Sequence, residues 1–167
     1  MANVETLLRA VASSASPSDG QRRLLIVGDG PLREPLRRLA VDLSIDSTTT
    51  FRSFVAHSDL PAYYRACDVT VVPSDRLETF CMVALEAIAC GSPLVVTDQV
   101  PEIVRHFPGT PLVTPYDVVG MCRMIDEAVA GRTPPASATE LIRHDWTASA
   151  RRYIDLYRVR PEPTTKD

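Results

Sequence analysis

Lysine is almost absent from this chain: Lys166, close to the C-terminal end, is the only one, and arginine supplies the other 17 of the 18 basic side chains. A phosphate bound within the domain must therefore be met by arginine, by backbone N–H groups or by another domain. There is no basic stripe, and the net charge is −3, which argues against a nucleic-acid surface. The four cysteines, Cys67, Cys81, Cys90 and Cys122, form no CxxC pair and have apolar neighbours, so they read as small buried residues rather than a zinc or disulfide framework. The three histidines, His57, His106 and His144, are scattered and suggest no metal site. No apolar run approaches the roughly 20 residues that a membrane-spanning helix needs. The start of the chain lacks the basic, apolar and small-residue succession of a signal peptide, so the expected location is cytoplasmic. Glycine is sparse, with 7 against 14 prolines, which stiffens the loops.

Against these absences stands a chain of 167 residues, 45% of them apolar, long enough for one well-packed domain and too short for two full α/β domains. We place that domain at residues 1–158, with a disordered tail at 159–167. Short β-branched runs alternate with stretches of helical period, the pattern of βαβ units. Strands are expected at 24–27, 49–51, 69–72, 94–96 and 111–113. Helices are expected at 4–12, 32–43, 60–65, 80–89, 101–106, 118–130 and 146–157. The strands are apolar enough to be buried on both faces, as in a parallel sheet covered by helices. The fold class is therefore α/β, a Rossmann-like parallel sheet with helices on both faces. Its first element is a helix where a doubly wound domain begins with a strand, so the first strand is expected to be missing.

Two turns invite a phosphate reading. Val27-Gly28-Asp29-Gly30-Pro31-Leu32-Arg33 begins like a dinucleotide fingerprint, but Arg33 occupies the place of the third glycine. It reads better as a tight strand-to-helix turn with Pro31 at the first helical position. The segment from Asp75 to Glu78 is more informative. It follows the strand at 69–72, at the carboxyl end where open α/β sheets place their ligands, and a helix is expected to begin near Thr79 or Phe80. The free N–H groups of Phe80, Cys81, Met82 and Val83 would then meet a diphosphate without any lysine. Glu78 would accept from sugar hydroxyls. Glu86, at most about 12 Å further along the helix, would reach a ribose. Because its neighbours Ala84, Leu85, Ala87, Ile88 and Ala89 are apolar, Glu86 is expected in a largely buried helix, where a carboxylate needs a partner. Gly91 is expected to stop that helix and Pro93 to open the next strand.

The block Glu78-x-Phe80 through Glu86-Ala87-Ile88-Ala89-Cys90-Gly91-x-Pro93-Leu94-Val95-Val96 resembles the E-x7-E signature of retaining, GT-B-fold glycosyltransferases (glycosyl transferases group 1, family 4). In the same order come Leu24-Leu25-Ile26-Val27-Gly28-Asp29-Gly30-Pro31, Leu60-Pro61-Ala62-Tyr63-Tyr64-Arg65-Ala66-Cys67-Asp68-Val69, Pro73-Ser74, Pro101-Glu102-Ile103-Val104 and Trp146. The resemblance covers residues 3–157. It implies the C-terminal, donor-binding half of a GT-B fold, acting with a nucleotide sugar and without metal or other cofactor. Glu78 would contact the donor sugar as the catalytic carboxylate and Glu86 the ribose. The backbone at Phe80, Cys81 and Met82 would meet the diphosphate, and Ser53, Phe54 and Val55 would lie near the base. An N-terminal acceptor domain or partner chain is implied as missing, as is peripheral membrane association of the full enzyme.

The departures are specific. The family's arginine and lysine pair lies just upstream of the segment matching Asn3-Val4-Glu5-Thr6-Leu7-Leu8, and Ala2 stands where the lysine would be. Cys81 and Ser53 each replace a glycine, and Gln99-Val100 replaces a Gly-Gly pair. The chain is thus expected to be a truncated and, alone, inactive hexosyltransferase domain. The alternative is a non-catalytic Rossmann-like module that assembles with a partner chain.

Overall fold

A computed structural model describes residues 3–14, 22–76, 80–100, 104, 107, 110–135, 141, 147, 150–151 and 154. In chain order the elements are α1 (Val4–Ala12), β1 (Leu24–Val27), α2 (Arg33–Asp42), a 3-10 turn (Asp46–Thr48), β2 (Thr49–Arg52), α3 (Leu60–Ala66), β3 (Thr70–Val72), α4 (Met82–Ala89), β4 (Leu94–Thr97), β5 (Leu112–Val113) and α5 (Val118–Val129). The expected helices at 101–106 and 146–157 fall largely outside the described residues, although Val104, Thr147, Ala150, Arg151 and Ile154 are helical. The 159–167 tail lies outside them altogether.

All strand pairs are parallel, as expected of βαβ connections. Strand β4 is the centre of one sheet, ordered β3-β4-β5, and all four of its residues are buried. Its alternation divides the core in two. Leu94 and Val96 join Val72, Leu85 and Ile88 on the α4 side. Val95 points the other way, into Leu7, Ala10, Val113, Met121 and Ile125 from α1, β5 and α5. Each such side chain, fully removed from water, stabilises the fold by roughly 1.5–3 kcal/mol.

Local signals fix the helix ends. The Asn3 side chain accepts the Thr6 N–H at 3.3 Å and caps α1, and Asp117 caps α5 through the Gly120 N–H at 2.8 Å. Helix α4 stops as the sequence indicates: Gly91, at φ +74°, donates to the Ile88 carbonyl while Ser92 donates to that of Ala87. This pair of bonds needs a left-handed residue, which glycine provides without a Cβ clash. Pro31 precedes α2 rather than opening it, because Leu32 is the N-cap and Arg33 the first helical residue. Only Cys81 among the four free cysteines is buried; Cys67, Cys90 and Cys122 are half-exposed, since each ends or lines a helix at the edge of the core.

Among the described residues the second sheet holds β1 and β2. Gly28 N–H donates to the Arg52 carbonyl, so by the alternation of a parallel ladder the main-chain groups of Leu25 and Val27 face away from β2. On β3, Thr70 N–H donates to the Pro93 carbonyl, which turns Val71 away from β4. Among the described residues no strand pairs with the second edge of β1 or of β3. The Asn3 N–H does reach the Pro73 carbonyl at the end of the β3 edge. Apolar surface is left uncovered accordingly. Leu24, Leu25 and Ile26 are only half-buried, α2 buries Ala40 alone, and a cavity of about 390 Å³ opens between Asn3, Val4, Leu32, Leu36, Leu39 and Asp75.

Candidate functional site

Within each sheet the strands run parallel, so the loops after β1 and β2 share one edge and those after β3 and β5 share another. Leu32, Asp75 and Tyr116, which follow β1, β3 and β5, line one cavity and so meet there. The turn after β1 holds its own charges: Asp29 accepts the Gly30 N–H at 2.8 Å and lies 3.6 Å from Arg33, which also donates to the Phe51 carbonyl. This is the tight turn that the missing third glycine indicates. The loop after β2 carries Ser53 and Phe54, both exposed, and half-buried Val55. Phe54 is 84% exposed, a large apolar side chain with little covering it.

The loop after β3 is anchored to the next strand. Thr97 Oγ1 donates to the Ser74 carbonyl at 2.6 Å, and both residues are 1% exposed. Exposed Arg76 follows two residues later. Glu78 and Thr79 lie outside the described residues, as do Pro101 and Glu102.

Helix α4 begins two residues later than its apolar pattern suggests, at Met82. Cys81 is the reason: it is the N-cap and adopts a left-handed conformation, φ +51° and ψ +62°, which breaks the helix between Phe80 and Met82. The Cys81 carbonyl accepts from Ala84 at 3.1 Å and from Leu85 at 3.4 Å, closing the first turn. The open N-terminal donors of the helix are thus Met82 and Val83, and among the described residues no side chain caps it. Phe80 precedes the helix and contributes no helical N–H. Phe80, Met82 and Val83 are each about half exposed, at 51%, 54% and 48%.

Glu86 sits on α4 between buried Leu85 and Ala87 and is itself half-buried. Its partner is Tyr64 on α3, whose hydroxyl donates to Glu86 Oε2 at 2.8 Å. The ring of Tyr64 packs against the core cluster that holds Leu85 and Ile88. Burial, the bond to Glu86 and the adjacent carboxylate charge together push the Tyr64 phenol above its usual range. Sequence reasoning required a partner for Glu86 and did not find Tyr64. The two are 22 positions apart, and only the packing of α3 on α4 brings them together. None of Ser53, Phe54, Val55, Phe80, Cys81, Met82, Val83 or Glu86 lines the cavity between α1 and α2.

Among the described residues, no cluster of three His, Cys, Asp or Glu side chains could hold a metal ion, and no helix is long and apolar enough to cross a membrane.

Parallel strands with helices on both faces of the β3-β4-β5 sheet, and an open helix N-terminus after β3, define a Rossmann-like domain. Residues 1–145 match the family model described as Glycosyl transferases group 1, and the chain belongs to that family of GT-B glycosyltransferases. It is 36% identical over 166 residues to a D-inositol 3-phosphate glycosyltransferase of Saccharomonospora viridis, covering 95% of this chain and 32% of that protein. A GDP-mannose-dependent alpha-(1-6)-phosphatidylinositol monomannoside mannosyltransferase of Mycobacterium tuberculosis is 36% identical over 110 residues, covering 61% of this chain and 28% of the relative. Among solved structures, the sucrose-phosphate synthase of Thermosynechococcus elongatus superposes with a TM-score of 0.73 at 30% identity, over 93% of this chain and 41% of that one. Anabaena Alr3699/HepE, solved with UDP and glucose, shares the fold at a TM-score of 0.75 and 23% identity, over 94% and 45%. The chain thus spans about a third of the length of its glycosyltransferase relatives.

Proposed function

We propose that this chain is the donor-binding half of a retaining glycosyltransferase, which transfers a hexosyl group from a nucleoside diphosphate sugar to a hydroxyl acceptor without a metal. In this reading Glu86 accepts from the ribose hydroxyls and Glu78 from the donor sugar, with Glu78 as the catalytic carboxylate. The diphosphate lies at the N-terminus of α4, where the Met82 and Val83 N–H groups and about half a unit of positive helix charge face it, with the Phe80 and Cys81 backbone alongside. Ser53, Phe54 and Val55 flank the base. The observation that carries the reading is the half-buried Glu86 carboxylate in an otherwise apolar helix, with Tyr64 as its partner. The relatives whose names include GDP-mannose, and the neighbour solved with UDP and glucose, support a nucleotide-sugar donor.

Catalysis by such an enzyme depends on stabilising the departing diphosphate electrostatically. With Lys166 the only lysine, a basic pair and an acceptor domain elsewhere in the enzyme complete the site, and the chain alone binds nucleotide weakly without turnover. A cytoplasmic site of action and peripheral membrane association of the whole enzyme belong to the same reading. Titrating UDP, GDP and ADP into the chain by calorimetry tests it. The expected result is one nucleotide bound per monomer, with a preference among the bases.

A second reading is favoured by the inner edges of β1 and β3, which no strand pairs among the described residues. In it the domain is a non-catalytic module whose open sheet is closed by a partner chain. Light scattering separates the two, because a stable dimer indifferent to all three nucleotides supports the module and contradicts the donor domain.

A further inference from the structure

We propose that Tyr64 is a positioning residue for nucleotide recognition: it holds the Glu86 carboxylate in the orientation that accepts the ribose hydroxyls. The inference rests on the reading of Glu86 as the ribose acceptor and adds a residue on a different helix. A free glutamate side chain loses rotamer entropy worth a substantial part of a ligand contact when it is fixed. Tyrosine has only two such torsions, and the Tyr64 ring is already wedged against the α4 core cluster. Its hydroxyl donates to Oε2 at 2.8 Å, so the carboxylate is oriented before any ligand arrives. An ionised carboxylate has about four lone-pair sites, and Tyr64 uses one of them. Both sites of Oε1 and the second of Oε2 remain, enough for the two hydroxyls of a vicinal diol. Once Tyr64 donates to Glu86, its own oxygen can only accept, which adds an acceptor beside the same diol. The other titratable groups felt at Tyr64 are the Cys90 and Cys81 thiols at the two ends of α4.

The test uses Tyr64→Phe and Glu86→Gln with UDP and GDP and their 2′,3′-dideoxy forms as probes. Calorimetry should show that Tyr64→Phe loses roughly threefold to tenfold in affinity for the ribose nucleotides. Its affinity for the dideoxy nucleotides should stay that of the unaltered chain. A purely structural bond between α3 and α4 would weaken all four probes alike or none, and either outcome overturns the inference. If Tyr64→Phe behaves like the unaltered chain while Glu86→Gln loses the preference for ribose, the reading of Glu86 stands and that of Tyr64 fails. If Glu86→Gln keeps the preference, or the unaltered chain has none, the reading of Glu86 fails and the inference with it. Alkaline absorbance titration adds a readout independent of ligand. One of the five tyrosines should resist ionisation, and Glu86→Gln should bring it back toward the ordinary range. An unchanged tyrosine titration would show that the bond is absent in solution and overturn the inference.

Discussion

Replacing Ile88 by alanine should be among the most damaging single changes on α4, and replacing Val83 should be nearly silent. The contrast is informative because α4, Met-Val-Ala-Leu-Glu-Ala-Ile-Ala, is apolar on every side except at Glu86. Hydrophobic pattern alone therefore does not say which face is buried. In the structure Ile88 is 0% exposed and packed with Val72, Leu94 and Val96, whereas Val83 is 48% exposed. Removing the Ile88 side chain beyond Cβ forfeits its transfer energy and leaves a cavity in a rigid sheet-helix interface, together about 3 kcal/mol within a usual range of 2–5. For a domain of this size that lowers the melting midpoint by roughly 6–12 °C. Val83→Ala should fall within about 0.5 kcal/mol of the unaltered chain, since an exposed helical valine contributes little packing. Urea titration followed by circular dichroism measures both, and an unchanged slope with denaturant shows that the midpoints report stability. If Val83→Ala cost as much as Ile88→Ala, α4 would be rotated about its axis, Glu86 would not meet Tyr64, and the site described above would be wrong.

Other expectations follow from single contacts. Thr97→Val, which keeps the shape and removes the hydroxyl bonded to the Ser74 carbonyl, should cost about 1–2 kcal/mol by urea denaturation. Cys81→Val should cost about 2 kcal/mol or more because a β-branched residue resists the left-handed backbone there, whereas Cys81→Gly should stay within about 1 kcal/mol; equal losses would remove the left-handed turn from the account. Tyr64 stays neutral to higher pH in the fold than in the unfolded chain, so its contribution is intact below about pH 10 and is lost as pH rises from there. Stability should accordingly fall less steeply above that pH in Tyr64→Phe, as followed by thermal melts across alkaline buffers.

Much of this architecture was legible because its cause is local. Gly91 and Pro93 announce the end of α4 and the start of β4, and the alternation of Leu94, Val95 and Val96 requires cover on both faces of the sheet. What the sequence hides is set by tertiary geometry. The left-handed cysteine had one signal, the glycine that Cys81 replaces in the family pattern; apolar periodicity alone set the helix and its free N–H groups two residues early. The need of Glu86 for a partner was readable from its apolar neighbours; that Tyr64 is the partner depends on how α3 packs on α4. For Cys67, Cys90 and Cys122 the apolar neighbours misled, because these residues lie at helix ends or flanks where the core has already opened to solvent.

The proposed function turns on the α4 carboxylate, Glu86, binding the ribose of a nucleotide. Calorimetric titration of UDP and GDP into the unaltered chain and into Glu86→Gln, with urea stability measured on both, tests it most directly. Glu86→Gln should lose about tenfold or more in nucleotide affinity while remaining folded. A variant that binds as tightly as the unaltered chain but unfolds more readily would make Glu86 a structural residue and contradict the account.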